Sequence, residues 1–170
     1  VLNRIFNICD HEWPRVIVAW GMRFLFFIGS VMGWTVLVAM FVIRLGISYL
    51  PYLFIANAIL IMAGTFLYSK LVSHVSKEAL MAFTALGAGA ALYFATFFPA
   101  YSSFLFFGFI LVANAILLGQ LNILISCFTE ELFSPLESER AFPIIESAET
   151  FGGIIGGALV GFLAPHIPVY

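Results

Sequence analysis

The sequence predicts an all-α, polytopic transmembrane helix bundle, and three observations predict it. Of 170 residues, 63% are apolar and only 9% are charged, where an ordinary soluble domain has about 25% charged residues. The mean hydropathy is +1.10. Long apolar stretches recur without the alternation of barrel strands, so each reads as a helix that satisfies its own backbone hydrogen bonds in lipid. Too few polar side chains exist to cover a soluble globule, and disorder would need low hydrophobicity with high net charge. A formal net charge of −2 offers no basic field for nucleic acid.

The elements follow in chain order. Residues 1–15 read as an interfacial amphipathic lead-in, because Leu2, Ile5, Phe6 and Cys9 share one helical face while Arg4 and Asp10 lie elsewhere. A hydrocarbon core of ~30 Å needs about 20 residues of helix. Five stretches meet this within 16–164: spans at about 16–43, 51–72, 79–98, 103–128 and 142–164. Pro51 suits the first turn of the second span. Pro99, Ala100, Tyr101 and Ser102 form a tight turn between the third and fourth. Residues 129–141 are the long, polar connection, with Glu130, Glu131, Ser134, Pro135, Glu137, Ser138, Glu139 and Arg140. Short connections make successive helices antiparallel. Residues 165–170, with Pro165 and Pro168, read as a turn toward a sixth helix, and with Val at position 1 the chain is expected to be a piece of something longer.

Orientation follows from Lys and Arg. With the N-terminus in the cytoplasm, Arg4, Arg15, Lys70, Lys77 and Arg140 all face inward, Arg44 faces outward and Arg23 is intramembrane. Trp13, Trp20, Tyr49, Tyr52 and Tyr101 lie near span ends, where interfacial aromatics sit. The expected location is the cell (inner) membrane, with the lipid bilayer as the first partner.

No enzyme motif stands out: there is no Gly-rich phosphate loop, no HExxH and no GxSxG. Cys9 and Cys127 lack CxxC spacing and read as free thiols. His11, His74 and His166 are far apart in sequence, so neither a metal nor a cofactor is expected.

The intramembrane charges are the informative residues. A charge near the bilayer centre costs ~2.5–3.5 kcal/mol on insertion scales, so it must be paired or face water. Arg23 lies roughly 12 Å along the helix from Arg15. Glu146 and Glu149 lie one to two turns into the fifth span, at a similar depth on the same side. Two readings stand side by side. Arg23 pairs with Glu146 or Glu149 beside a substrate cavity, or Arg23 snorkels to the headgroups while the glutamates begin a helix in the interface.

Polar stripes extend this. Asn114, Leu118, Asn122 and Ser126 step by four on the fourth span; Arg23, Ser30 and Trp34 cluster on the first; Asn57, Gly64 and Tyr68 on the second. Such faces line a wet path or act as interhelical glue worth ~0.6 kcal/mol per contact. Asn122 reads better as cavity and Asn57 as glue. Gly152, Gly153, Gly156, Gly157 and Gly161 make overlapping GxxxG patterns that let another helix approach closely. Gly87, Ala88, Ala91 and Ala95 form a similar small face on the third span.

The run Phe133-Ser134-Pro135, then Ser138-Glu139-Arg140-Ala141-Phe142-Pro143-Ile144-Ile145, then Gly152-Gly153-Ile154-Ile155-Gly156-Gly157 resembles the signature of bacterial ATP/ADP-translocase-like transporters between helices four and five. The segment Tyr68-Ser69-Lys70-Leu71-Val72-Ser73-His74-Val75-Ser76-Lys77 is similar to a worn major facilitator loop, with Ser69, Ser73 and His74 where Gly, Asp and Arg are usual. Leu45-Gly46 followed by Leu50-Pro51-Tyr52 is similar too. The resemblance implies a major-facilitator-like six-helix half with five spans present, and a second half elsewhere as partner. It further implies a basic residue in the first helix and an acid in the fifth that matter to transport. Arg23 and Glu146 fit those roles, with Glu149 as a second acid. The expected function is a secondary active transporter exchanging nucleotides or organic anions by alternating access, with a small anionic substrate at Arg23, Glu146, Glu149, Asn122, Asn114 and Trp34. The alternative is a non-transporting membrane anchor, scaffold or sensor that docks a soluble partner at 129–141.

Overall fold

The computed structural model describes residues 11–95, 97 and 103–166. The described residues are 92% helix, with no strands among them. The lead-in through position 10 and the end at 167–170 lie outside the described residues, as do Pro99, Ala100, Tyr101 and Ser102 of the expected tight turn.

Helix α1 (Trp13–Leu45) begins three residues ahead of the expected span, and the Val16 amide bonds the Glu12 carbonyl at 3.0 Å. So residues 13–15 belong to the spanning helix rather than to a separate lead-in. Gly46, at φ 92°, ends α1 in backbone space that side chains disfavour. A 3-10 turn (Ile47–Tyr49) follows, then α2 (Leu50–Leu71) with Pro51 in its first turn. Ser76 Oγ accepts the Ala79 amide at 3.4 Å, at the start of α3 (Lys77–Ala95).

The fourth span is three segments in succession: α4 (Ser103–Val112), a π-helical stretch π1 (Ala113–Leu118) and α5 (Gly119–Glu131). In π1 the Gly119 amide reaches the Asn114 carbonyl, five residues back. Helix α6 (Pro135–Leu163) is longer than the fifth span read from sequence. The polar stretch 129–141 is not a long loop: α5 runs through Glu131 and α6 starts at Pro135. The reason is a capping box, in which Glu137 accepts the Ser134 amide at 2.8 Å while the Ser134 side chain serves the first turn.

Four described helices are long and apolar enough to cross a membrane: Trp13–Leu45, Ile47–Leu71, Phe106–Glu131 and Pro135–His166. This is the pattern of a multi-pass membrane protein. Helix α3, the expected third span, has 19 residues and is not among those four.

The chain divides into two compact units, one made of Val1–Met32 with Ile125–Tyr170 and the other of Gly33–Leu124. In the first, α1 and α6 run parallel. Trp20 Nε1 donates to Ser147 Oγ at 3.1 Å across a separation of 127 residues. Gly152 then lies against Phe24 and Phe27, and Gly156 against Ile28 and Val31. Both helices therefore advance together. Their seam holds a small core of Val16, Ala19, Phe133, Ala141 and Ile145. A methyl built on Gly152 would stand 2.8 Å from the Phe24 carbonyl oxygen, and one on Gly156 2.9 Å from that of Ile28. Glycine is what allows this approach.

In the second unit, Leu37 and Phe41 of α1 meet Leu53 of α2 and Phe106, Phe107 and Leu111 of α4. Gly64 lets α2 close onto Ile116 of π1. Gln120 Nε2 donates to Thr65 Oγ1 at 3.0 Å. The Tyr68 hydroxyl meets Thr84 Oγ1 at 2.9 Å, and Thr84 itself donates to the Leu80 carbonyl at 2.7 Å. These contacts tie α2 to α5 and α3 with hydroxyl and amide groups that α-helical backbone bonding leaves free.

Candidate functional site

Six residues were expected at the site. Arg23, Glu146 and Glu149 fall in the first unit, and Trp34, Asn114 and Asn122 in the second.

Arg23 lies in sequence between Trp20 and Phe24, whose rings stack with centroids 4.8 Å apart. Its Nε is buried with no hydrogen-bond partner among the described residues. Leaving a charged donor so placed costs upward of about 1–3 kcal/mol. The α1–α6 register carries Arg23 to the level of about residue 150 on α6, given the offset of 127. Glu149 is therefore level with Arg23, and Glu146 lies one turn below, as the depth argument from sequence expects.

Level is not contact. Among the described residues Arg23 forms no ion pair with Glu146 or Glu149, and both carboxylates are on exposed residues. The cause is the face α6 turns to α1. Ala141, Ile145, Ala148, Gly152 and Gly156 are its buried positions, and the 3.6-residue repeat takes Glu146 about 120° around from that face. Both acids are exposed residues on a membrane-length helix.

In the second unit Trp34 packs with the apolar cluster and its ring lies 5.8 Å from that of Phe54, an apolar setting rather than a polar lining. Asn114 is the residue whose carbonyl closes π1, and π-type turns recur at functional positions in helices. Asn122 Oδ1 is buried without a partner among the described residues, and so is Asn57 Oδ1. Asn57 was expected to act as glue, yet its oxygen has no donor there.

Two ion pairs join residues at the starts of α1 and α6. Arg15 Nη2 donates to Glu137 Oε1 at 3.1 Å, and Arg140 Nη2 donates to Glu12 Oε1 at 3.1 Å. Arg15 Nη1 also donates to the Leu132 carbonyl at 2.8 Å, and its guanidinium sits 5.5 Å from the Phe133 ring centroid. Glu12 is only 3% exposed. Two Glu-x-x-Arg repeats, Glu12 with Arg15 and Glu137 with Arg140, cross their charges between parallel helices. The sequence reading gave these arginines no ion-pair partners, although the repeated spacing was a usable signal.

His11, Glu12 and Glu137 bring three possible ligand atoms within 4.8 Å of one another. A cation there would have to displace two guanidiniums from the same carboxylates. The arrangement is an ion-pair clasp between the starts of α1 and α6.

No family model, curated protein or solved structure matches the chain.

Proposed function

We propose that the chain is part of a secondary active transporter of the major facilitator type, in which a helix bundle rocks against a second bundle around a polar site between them. The observation that carries this reading is the Arg23 level of the first unit. A guanidinium with its Nε buried and unpartnered among the described residues shares its depth with two carboxylates on exposed residues of α6. Charges at such depth need water or opposite charge. A wet passage lined by α1 and α6 meets that need, and Asn122, with its unmet oxygen, is a further polar point for the second unit.

In this reading Arg23 binds the anionic group of the substrate, which is a nucleotide or another organic anion. Glu146 and Glu149 repel that anion from the resting site and hold a compensating cation or proton. The protein then resides in the cell (inner) membrane with its N-terminus in the cytoplasm. The test is uptake of labelled nucleotides and organic anions into vesicles carrying the full chain. Arg23→Ala abolishes uptake and Arg23→Lys keeps part of it. Unchanged uptake by a well-folded Arg23→Ala variant removes Arg23 from the mechanism.

A second reading is a non-transporting anchor or sensor. It is favoured by the exposed Glu130, Glu131 and Glu139 around the α5–α6 turn, which present negative charge to a soluble partner. Stable capture of one partner, together with absent flux, would select it.

A further inference from the structure

Midway through the fourth span the backbone winds as a π-helix over Ala113–Leu118. A π turn bonds each amide to the fifth residue back rather than the fourth, so it takes up one residue more than an α turn. Here the Gly119 amide reaches past Ala115 to the Asn114 carbonyl. The residues that follow are set back by one position, about 100° of rotation, from where an unbroken α-helix would put them. The direction of each side chain early in α5 therefore depends on where the extra residue sits.

The polar residues just beyond π1 are satisfied unequally in this register. Gln120, 3% exposed, donates from Nε2 to Thr65 Oγ1 at 3.0 Å. Asn122 keeps its Oδ1 buried with no partner among the described residues. Moving the extra residue one turn along, past Asn122, would rotate residues 119–122 by about 100° and leave α4 and the end of α5 in place. Each rotated residue takes the direction its successor has now. Gly119 would face Thr65 in place of Gln120, and Leu121 would fill the place of Asn122. Asn122 would take the direction of Ile123, which is 45% exposed.

The neighbouring helix permits this change. The seam is narrow, since a methyl built on Gly64 of α2 would lie 3.3 Å from both Ile116 Cα and Gln120 Nε2. Gly119 brings no side chain into it. Thr65 is not orphaned when Gln120 leaves, because its hydroxyl already donates to the Ile61 carbonyl at 3.0 Å. We propose that π1 is a movable register element. Its extra residue shifts by one turn between the observed place and one beyond Asn122, exchanging the Gln120–Thr65 bond for an Asn122 amide that a donor can reach. Helix register shifts of this kind run on the microsecond-to-millisecond timescale. The proposal concerns the register of this span alone and stands apart from the transporter reading.

The test is methyl relaxation-dispersion NMR of the full chain in lipid nanodiscs, with the isoleucine δ1 methyls labelled. Ile116 and Ile123, which flank the moving residues, show exchange with a second register, and Ile110 on α4 does not. Gln120→Leu removes the bond that holds the observed register and raises the second population about three-fold, the worth of an average polar contact between membrane helices. Thr65→Val breaks the same bond from the other side and gives the same rise, so the test stands should one of the two fail to fold. Asn122→Leu removes the unmet oxygen and lowers the second population about tenfold. Absence of exchange at Ile116 and Ile123 overturns the proposal. So does exchange that spreads equally to Ile110, which would mean general breathing of the span, or a change of the same sign in Gln120→Leu and Asn122→Leu.

Discussion

Replacing Gly152 with alanine should separate the two glycine registers of α6. The added methyl would lie 2.8 Å from the Phe24 carbonyl oxygen and 2.9 Å from Phe27 Cβ. One neighbour is backbone and the other is the root of a side chain, so neither can swing aside. Relief requires α1 and α6 to part by roughly 0.6–0.7 Å, toward the ~3.5 Å of an ordinary contact. A gap of 0.5–1 Å forfeits a quarter to a half of each contact along the seam, and overpacking of this kind costs typically 1–3 kcal/mol. Helix propensity returns ~1 kcal/mol for Gly→Ala, leaving a net loss of up to about 2 kcal/mol. Gly156→Ala should behave alike, with its methyl 2.9 Å from the Ile28 carbonyl oxygen. The double variant should cost less than the sum, because one separation of the helices relieves both clashes. Gly153→Ala and Gly157→Ala are the controls, since a methyl on either meets nothing within 4 Å. The assay is loss of helical circular dichroism in mixed micelles as denaturing detergent is raised. If Gly152→Ala and Gly153→Ala unfold at the same point, the α1–α6 seam described above is wrong.

Three further outcomes follow from the same packing. Arg140→Gln leaves the Glu12 carboxylate, 4% exposed, without its guanidinium, and should destabilise by about 3 kcal/mol; Glu12→Gln in the same chain should recover part of that, as a double-mutant cycle in the micelle assay will read. Gln120→Leu removes the donor to Thr65 and should cost only ~0.6 kcal/mol, the average for polar contacts between membrane helices; a loss above 2 kcal/mol would give Gln120 a larger part than this bond explains. Ser134→Ala deletes the α6 capping side chain and should cost about 1 kcal/mol, with the first turn of α6 gaining amide hydrogen exchange while residues from Ile145 onward keep theirs.

Some of this was legible in the residues and some was not. The helical class, the helix start at Pro51, and the depth shared by Arg23 and Glu149 were readable because hydropathy and rise per residue are local properties. The expected polar connection at 129–141 failed for a local reason too. Ser134 and Glu137 form a capping box, and charged residues in a helical first turn resemble a loop when only polarity is weighed. The candidate site fared less well. Arg23 had two acids at the right depth and paired with neither among the described residues, whereas Glu12, not weighed as a partner, took up Arg140.

By itself the sequence determined that this chain is helical and apolar, since lipid leaves a backbone little choice; it predicted five spans, and four described helices are long and apolar enough to cross a bilayer. Only the tertiary structure decided that Gly152 and Gly156, rather than Gly153 and Gly157, take the α1 contact, and which arginine meets which glutamate. Rotation of a helix about its own axis changes neither its composition nor its period. It is set by the side chains of the neighbouring helix, which the one-dimensional pattern does not contain.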